Sequence, residues 1–448
     1  MNKLLTHLAC CLLPIPLAAA PSFDALWQDS AVEQRIVSGI HAHRMSEAVV
    51  KCIRRDGAAL GNVSVRIEQT RHSFLFGANL FMLGGFPTAA ENRRYEETYR
   101  QLFNYATVPF YWSDLEPEPG KPRFAVDSPV IYRRPPPDAV VAFCQQHRIA
   151  MKGHPLVWHQ WFPQWRPDDP QELTRRIEIR IAEIATRYGT SIPRWEVVNE
   201  PLERDLHADK WCNLPAGYVA HALATAARAF PAQTRLMLNE ATTFSWLKFS
   251  GENSPYYRLI RELIDRGERV DEIGMQLHVF NEKTWHQLLA GQLFAPLDLF
   301  KILDRYGHFH RPLAITELTF PTLPNTPAGE GDQATVTRNF YRLWFSHPQV
   351  QAISWWNVVD DTAAKGEDKW NAGLVHRDFS PKPAFRVLDQ LINRDWKTVI
   401  ETLSASNGSV AFRGFHGEYP VTAQIDGSTE RRTFVVEKDA PNEWIVAF

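Results

Sequence analysis

The sequence predicts an α/β protein: a (β/α)8 TIM barrel carrying a small β-rich appendage. Three observations carry this. Between Phe74 and Asn393, short apolar segments alternate with amphipathic ones eight times, the count that closes a barrel. No G-x-G-x-x-G follows the first strand, although Gly84-Gly85 lie near that place, so the phosphate turn of an open doubly wound sheet is missing. Beyond about residue 398 the helical period stops, and short alternating stretches punctuated by Gly and Asn take over.

Strands are predicted at Phe74–Ala78, Tyr105–Pro109, Ala150–Leu156, Arg194–Val198, Arg235–Leu238, Glu272–Gln276, Leu313–Thr316 and Ala352–Trp356. Helices are predicted over 91–103, 138–147, 171–188, 218–230, 256–266, 296–306, 333–345 and 383–393. In the third of these Leu173, Ile177, Ile181, Ile184 and Tyr188 recur on one face, the stripe of a helix packed on a core. Ahead of the barrel, Val49–Arg54 and Asn62–Glu68 alternate around a turn containing Gly57 and Gly61, which reads as β-structure. Four stretches in the tail, 409–413, 419–425, 433–436 and 444–446, read the same way. The resulting division is a leader at 1–20, a β-rich lead-in at 21–73, the barrel at 74–395 and a β module at 396–448. The lead-in is a candidate to complete that module.

The formal net charge of the 448-residue chain is −2, so no basic surplus exists to neutralise phosphates and nucleic acid is not an expected partner. A hydrophobic fraction of 44% and a charged fraction of 22% suit a soluble globular protein with a large core. Lys3, the apolar run Leu8–Leu17 and then Ala18, Ala19 and Ala20 have the form of a secretory signal. That run is too short to span a membrane. The expectation is therefore a secreted or periplasmic protein without a membrane span, with a monomer favoured. Outside the leader remain Cys52, Cys144 and Cys212. They allow at most one bridge and make neither a disulfide scaffold nor a zinc pattern. No metal and no cofactor is expected.

Barrel chemistry sits at the C-terminal strand ends. Strand three ends in Gly153-His154-Pro155-Leu156-Val157-Trp158-His159, and strand four in Trp195-Glu196-Val197-Val198-Asn199-Glu200-Pro201. Strand six ends in Gln276-Leu277-His278, strand seven in Thr316-Glu317-Leu318, and strand eight in Trp355-Trp356-Asn357. Glu200 and Glu317 thus face each other across the barrel mouth. Two opposed carboxyl groups, one protonated and one ionised, are what glycoside cleavage requires. Alone, Glu200 would read as a helix N-terminal charge before Pro201; the pair at matching strand ends is what carries the chemistry.

These segments resemble glycoside hydrolase family 10, the endo-β-1,4-xylanases. Gly153 to His159 is similar to the family's G-H-T-L-V-W-H, and Trp195 to Glu200 to its W-D-V-V-N-E. Ile273 to His278 resembles I-G-x-Q-x-H, Ile315 to Leu318 resembles I-T-E-L, and Pro381 to Phe385 resembles P-K-P-A-Y. Phe412 to Tyr419 also resembles a segment that follows the barrel in some plant-type members. The resemblance implies Glu200 as acid/base and Glu317 as nucleophile of a retaining hydrolase of β-1,4-linked plant polysaccharide, xylan by default. It implies His154, Trp158, Asn199, Gln276, His278 and Trp356 as substrate-binding residues, with His278 and Gln276 steadying Glu317, Asn199 on the sugar 2-hydroxyl and Trp356 flooring the cleaved sugar. The expected partner is a polysaccharide or oligosaccharide.

The chain departs from the family's pattern in its sugar-reading positions. The Glu-Asn and Lys that follow strand two are absent from Thr107-Val108-Pro109-Phe110-Tyr111-Trp112, and Tyr111 stands where Lys would. The Gln after the strand-three tryptophan is replaced near Trp161, and the Asp two residues past the nucleophile is Thr319. These departures leave open a different or decorated β-glycan, or a non-catalytic carbohydrate-binding barrel. His308-Phe309-His310 and His41-Ala42-His43 have ligand-like spacing and keep a metal-dependent hydrolase as a third reading.

Overall fold

The computed structural model describes residues 22–206, 214–425 and 428–448; the expected leader and Cys212 lie outside them. The chain begins with two helices, Phe23–Trp27 and Ser30–Arg44, followed by β1 (Met45–Ile53), β2 (Ser64–Glu68) and β3 (Arg71–His72). The barrel is β4 (Leu75–Asn79), β5 (Tyr105–Pro109), β6 (Ala150–His154), β7 (Arg194–Asn199), β8 (Arg235–Glu240), β9 (Glu272–His278), β10 (Leu313–Thr319) and β11 (Val350–Trp355). Neighbours pair in parallel in chain order and β11 closes on β4, as the eightfold alternation predicts. The tail adds β12 (Val399–Leu403), β13 (Ser409–Phe415), β14 (Gly417–Ile425), β15 (Ser428–Val436) and β16 (Glu443–Ala447).

The tail does not form its sheets alone. β1 sits between β13 and β16, and β2 sits between β12 and β14. Val50, Ile67, Tyr419, Val421 and Val436 meet in a second hydrophobic core between these two sheets. The β appendage is therefore shared by both ends of the chain, with the lead-in supplying one inner strand to each sheet.

The lead-in also holds a feature the alternation of 49–68 did not announce: its first half is helical. Asp29 caps the helix Ser30–Arg44, accepting from the N–H of Ala31 and of Val32, which satisfies two otherwise orphaned donors. Val32, Ile36 and Ile40 are buried at four-residue spacing, worth roughly 1.5–3 kcal/mol each. They face the barrel's long helix Pro327–Ser346, and the approach is close at Gly39, where an added Cβ would lie 2.6 Å from the Ser346 carbonyl oxygen.

Arg44 ends that helix and fastens it. Its guanidinium is buried and donates to the carbonyl oxygens of Phe345, His347 and Val350 at 2.5, 2.5 and 2.6 Å. Cys52 in the appendage and Cys144 in the barrel are both buried free thiols, and burial pushes both up, to about 11 and about 12. No helix among the described residues is long and apolar enough to cross a membrane.

Arg44→Ala removes the donor to three buried carbonyls and opens a cavity. It should lower the unfolding free energy in urea by about 3 kcal/mol. A change below about 0.5 kcal/mol would mean that the helix is held by its apolar face alone.

Candidate active site

Glu200 follows directly on β7. Its backbone is left-handed, with φ +53°, a conformation costly for a residue with a Cβ and typical of functional positions. Its N–H donates to the Asn239 carbonyl at 2.9 Å, which locks this turn onto the end of β8. Glu317 lies inside β10, where the register against β9 slips between Ile315 and Glu317. Irregularities of this kind re-aim a side chain.

The two carboxylates are joined by one amide. Gln276 Nε2 donates to Glu200 Oε1 at 2.9 Å and to Glu317 Oε1 at 3.1 Å. Asn239 Nδ2 donates to the same Glu317 oxygen at 2.9 Å. The other oxygen, Glu317 Oε2, faces His278 Nε2 at 3.2 Å, while His278 Nδ1 lies 2.8 Å from Thr319 Oγ1. A tautomer with the proton on Nε2 satisfies both contacts: Nε2–H donates to Glu317 and the Thr319 hydroxyl donates to Nδ1. Thr319 thus supports His278 from the position where the family resemblance leads one to expect Asp.

Glu200 Oε2 accepts from Trp158 Nε1 at 3.0 Å and from Gln160 Nε2 at 3.3 Å. The glutamine that the sequence shows as replaced at Trp161 is thus present one residue earlier, in the tight turn His159–Trp161. Burial, then the neighbouring charge of Glu317, pushes the Glu200 carboxyl up to about 8, against the downward pull of Gln276 and Trp158. Glu317 has three N–H donors around its oxygens, an arrangement that suits a carboxylate.

A cleft of about 360 Å3 opens onto this pair. Trp158, Glu200, Gln276, His278, Glu317 and Trp356 all line it. His154 and Asn199, expected as sugar contacts, do not. His154 is buried with both ring nitrogens occupied, by Glu196 at 2.9 Å and the Tyr111 hydroxyl at 3.1 Å. Glu196 also takes Lys152 Nζ at 2.7 Å, and His154 and Lys152 hold its carboxyl low against burial, which would raise it. Asn199 Oδ1 accepts from Asn239 and Gln276 at 3.0 and 3.1 Å, and its buried Nδ2 has no partner. Both hydrogen-bond to residues that reach the cleft, His154 to Tyr111 and Asn199 to Gln276.

Trp356 is held by Asn79 Nδ2, which donates to its carbonyl, and by Phe81, edge-on at 5.3 Å. Tyr111 joins the same aromatic cluster, with Trp161 against it at 5.1 Å. The missing Glu-Asn and Lys are therefore replaced by an aromatic wall. Asn239 escaped the sequence reading because strand five was ended at Leu238; Asn239-Glu240 directly after it was the available signal. Arg133 and Arg134, which also line the cleft, lie in a long loop that no strand pattern marks.

One group among the described residues could gather ligand atoms for a metal: His154, Glu196 and Glu317, with donor atoms within 4.8 Å of one another. Lys152 occupies Glu196, and Gln276 and Asn239 occupy the Glu317 oxygen nearest His154. These donors are already engaged, so the set does not fit a resident cation. His308 and His310 follow the helix that precedes β10, and His41 and His43 lie on the helix Ser30–Arg44. Neither pair belongs to a ligand cluster among the described residues.

Residues 88–390 match the family model described as glycosyl hydrolase family 10. The chain belongs to that family. Endo-1,4-beta-xylanase 2 of Arabidopsis thaliana is 24% identical over 395 residues, covering 86% of this chain and 33% of its own length. Anti-sigma-I factor RsgI6 of Acetivibrio thermocellus is 25% identical over 412 residues, 91% of this chain and 48% of its own. The chain thus spans half or less of these two curated relatives. It covers 87% of endo-1,4-beta-xylanase B of Thermotoga neapolitana, at 23% identity over 70% of this chain. Among solved structures, xylanase 10B from Thermotoga petrophila RKU-1 in complex with xylobiose superposes with a TM-score of 0.59 at 20% identity, over 72% of this chain and 95% of that one. That likeness shows the barrel.

The raised Glu200 group has a consequence for stability. Unfolded, this carboxyl releases its proton near the ordinary 4.5; folded, it holds it to about 8. The wild type therefore loses stability as pH rises from 4.5 through 8, because the unfolded chain binds fewer protons there. Glu200→Gln cannot titrate. Its stability relative to wild type should improve by roughly 3–5 kcal/mol across that window, read by urea unfolding at pH 4 and pH 9. A difference that stays flat with pH would show that Glu200 ionises freely.

Proposed function

We propose that this protein is a retaining glycoside hydrolase that cleaves β-1,4-linked plant polysaccharide, xylan in the first instance, by double displacement. The observation that carries the reading is the shared amide. Because Gln276 Nε2 bonds an oxygen of each carboxylate, those two oxygens lie no more than about 6 Å apart. Retaining pairs stand roughly 5–5.5 Å apart, and inverting pairs roughly 6.5–9.5 Å, leaving room for a water.

In this reading Glu200, protonated at neutral pH, gives its proton to the glycosidic oxygen as the C1–O bond breaks. Glu317 attacks C1 from the other face and forms a glycosyl-enzyme. Glu200, now ionised, takes a proton from a water whose oxygen attacks C1 and displaces Glu317. Trp356 floors the sugar being cleaved, and His278 and Gln276 hold Glu317 in line. The aromatic wall around Tyr111 replaces polar sugar contacts, so linear unbranched xylan is a poorer substrate than decorated chains. Support comes from family membership and from the curated relatives named as endo-1,4-beta-xylanases. We further propose that the apolar N-terminal run directs export to the periplasm or beyond, that the barrel of residues 74–395 is the catalytic unit, and that the protein acts as a monomer.

Two variants test the mechanism. Glu317→Ala should abolish turnover. Glu200→Ala should slow polysaccharide cleavage by a factor on the order of 10²–10⁴, yet spare the first step on an aryl glycoside whose phenolate leaves unaided. Azide should then restore turnover and yield a β-glycosyl azide. Proton NMR of the first product from wild type should show the β anomer. An α anomer formed first, or near wild-type polymer cleavage by Glu200→Ala, would overturn the assignment.

A further inference from the structure

One wall of the cleft carries two adjacent arginines, Arg133 and Arg134. They end the loop that runs from β5 to the helix Pro137–Gln146, on the rim where the barrel strands point. Both are buried, at 5% and 8% exposure. Their surroundings differ.

Arg134 is compensated. Its Nε donates to Asp114 Oδ2 at 2.9 Å. Its guanidinium lies 3.7 Å over the Tyr111 ring and 4.9 Å from the Trp161 ring, a stacked setting that favours a planar cation.

Arg133 has the Phe81 ring at 5.4 Å but no carboxylate partner. Nη1 donates to the Thr362 carbonyl at 2.6 Å, but its Nε is buried without a partner. It makes no ion pair among the described residues. The carboxylate that acts on it, Glu367, also lines the cleft and accepts instead from Asn357 Nδ2 at 3.1 Å. The Arg133 backbone is left-handed as well, with φ +60°, which disfavours any residue bearing a Cβ. A buried guanidinium short of an anion and a strained backbone each cost free energy. Both fall on one residue in the wall of a substrate cleft. A guanidinium in a cleft wall with no carboxylate partner suits a planar anion, which its fork binds through parallel hydrogen bonds.

We infer that Arg133 binds a carboxylate carried by the glycan, so that the preferred substrate is a chain bearing uronic acid. Space for such a group lies next to it. A second cavity of about 350 Å3 shares Arg133 and Arg134 with the cleft and continues past Phe81, Leu83, Val130 and Tyr132. A sugar branching from the main chain can enter it while the main chain stays over Trp356. Replacing Glu, Asn and Lys with an aromatic wall removes hydroxyl contacts, and Arg133 adds a charge contact in the same region. The inference rests on the reading of the protein as a hydrolase of β-1,4-glycans.

The test uses xylo-oligosaccharides bearing one pendant glucuronic acid, the same oligosaccharides with that carboxyl reduced to an alcohol, and a β-1,4-linked glucuronan. Binding is read by calorimetry and cleavage by released reducing ends. On wild type, carboxyl reduction should weaken binding at least tenfold, about 1.4 kcal/mol, and lower kcat/KM to match. In Arg133→Ala that gap should shrink below twofold, and Arg133→Lys should restore part of it, which a merely structural role for Arg133 would not do. Preference for the branched oligosaccharide places the carboxylate on a side chain; preference for the glucuronan places it in the main chain. Equal binding of the acidic and reduced oligosaccharides by wild type overturns the inference, and cleavage of both would leave the hydrolase reading standing. Failure to bind or cleave any of the three overturns both. If Arg133→Ala does not fold, the wild-type comparison decides alone.

Discussion

A single side-chain amide, Gln276 Nε2, lies between Glu200 and Glu317 and bonds both. Two carboxyl groups so placed, each largely withdrawn from water, cannot both ionise at low cost. One must hold a proton, and the surroundings select Glu200. Loss of hydration and then the charge of Glu317 beside it push the Glu200 carboxyl up, against the pull of the Gln276 and Trp158 donors. The rest of the barrel mouth serves this asymmetry. Asn199, Asn239, Gln276 and Thr316 come from four consecutive strands and interlock by side-chain hydrogen bonds. Gly274 makes room for them, since an added Cβ would lie 2.6 Å from Asn239 Oδ1 and 2.9 Å from Thr316 Cγ2. A closed barrel is what brings those strand ends to one ring.

A second network lies inside the barrel and reaches the first through position rather than through a bond. Lys152, Glu196 and His154 are fully buried and joined, and Tyr111 completes the line. Breaking one member would strand a buried charge, at a cost of about 3–5 kcal/mol. Gly153 sits between Lys152 and His154 because an added Cβ would meet the Trp195 ring at 2.3 Å. The network holds His154 3.9 Å from Glu317, close enough to shape its surroundings and too far to bond. It also fixes Tyr111 at the cleft. The aromatic wall around Tyr111 is thus anchored in the barrel interior.

The barrel was legible because its signal is local and repeated. Every predicted strand overlaps an observed one, and the two carboxylates fall at strand ends that alternation alone locates. What stayed hidden depends on partners distant in sequence. The helix Ser30–Arg44 buries a narrow stripe beside two clearer β stretches, so the period of two in its neighbours dominated the reading. β12 pairs with β2 but is exposed along most of its length, so no alternation betrays it. Gln160 lies one residue from the expected position, and a tight turn rather than sequence register decides which side chain reaches Glu200. Asn239 and Arg133 required knowing which loop ends meet at the mouth.

The division of labour between strands and loops accounts for what matches the family and what departs from it. Glu200, Glu317 and the Asn239, Gln276 and His278 that bond them lie on barrel strands or directly follow one, where barrel geometry leaves little freedom. The groups that differ from the expected pattern stand on loops: Tyr111 after β5, Trp161 after β6, and Arg133 and Arg134 in the long segment before the next helix. Loops can change without disturbing barrel closure. A polar wall can therefore be exchanged for an aromatic and cationic one while the proton-sharing pair stays intact. Arg133, without a carboxylate partner, is where that exchange leaves a visible imbalance: a buried cation on a strained backbone, in the wall of the cleft that holds the two carboxylates. A folded protein tolerates such a residue when the large barrel core stabilises the rest, and the imbalance disappears when an anion enters the cleft.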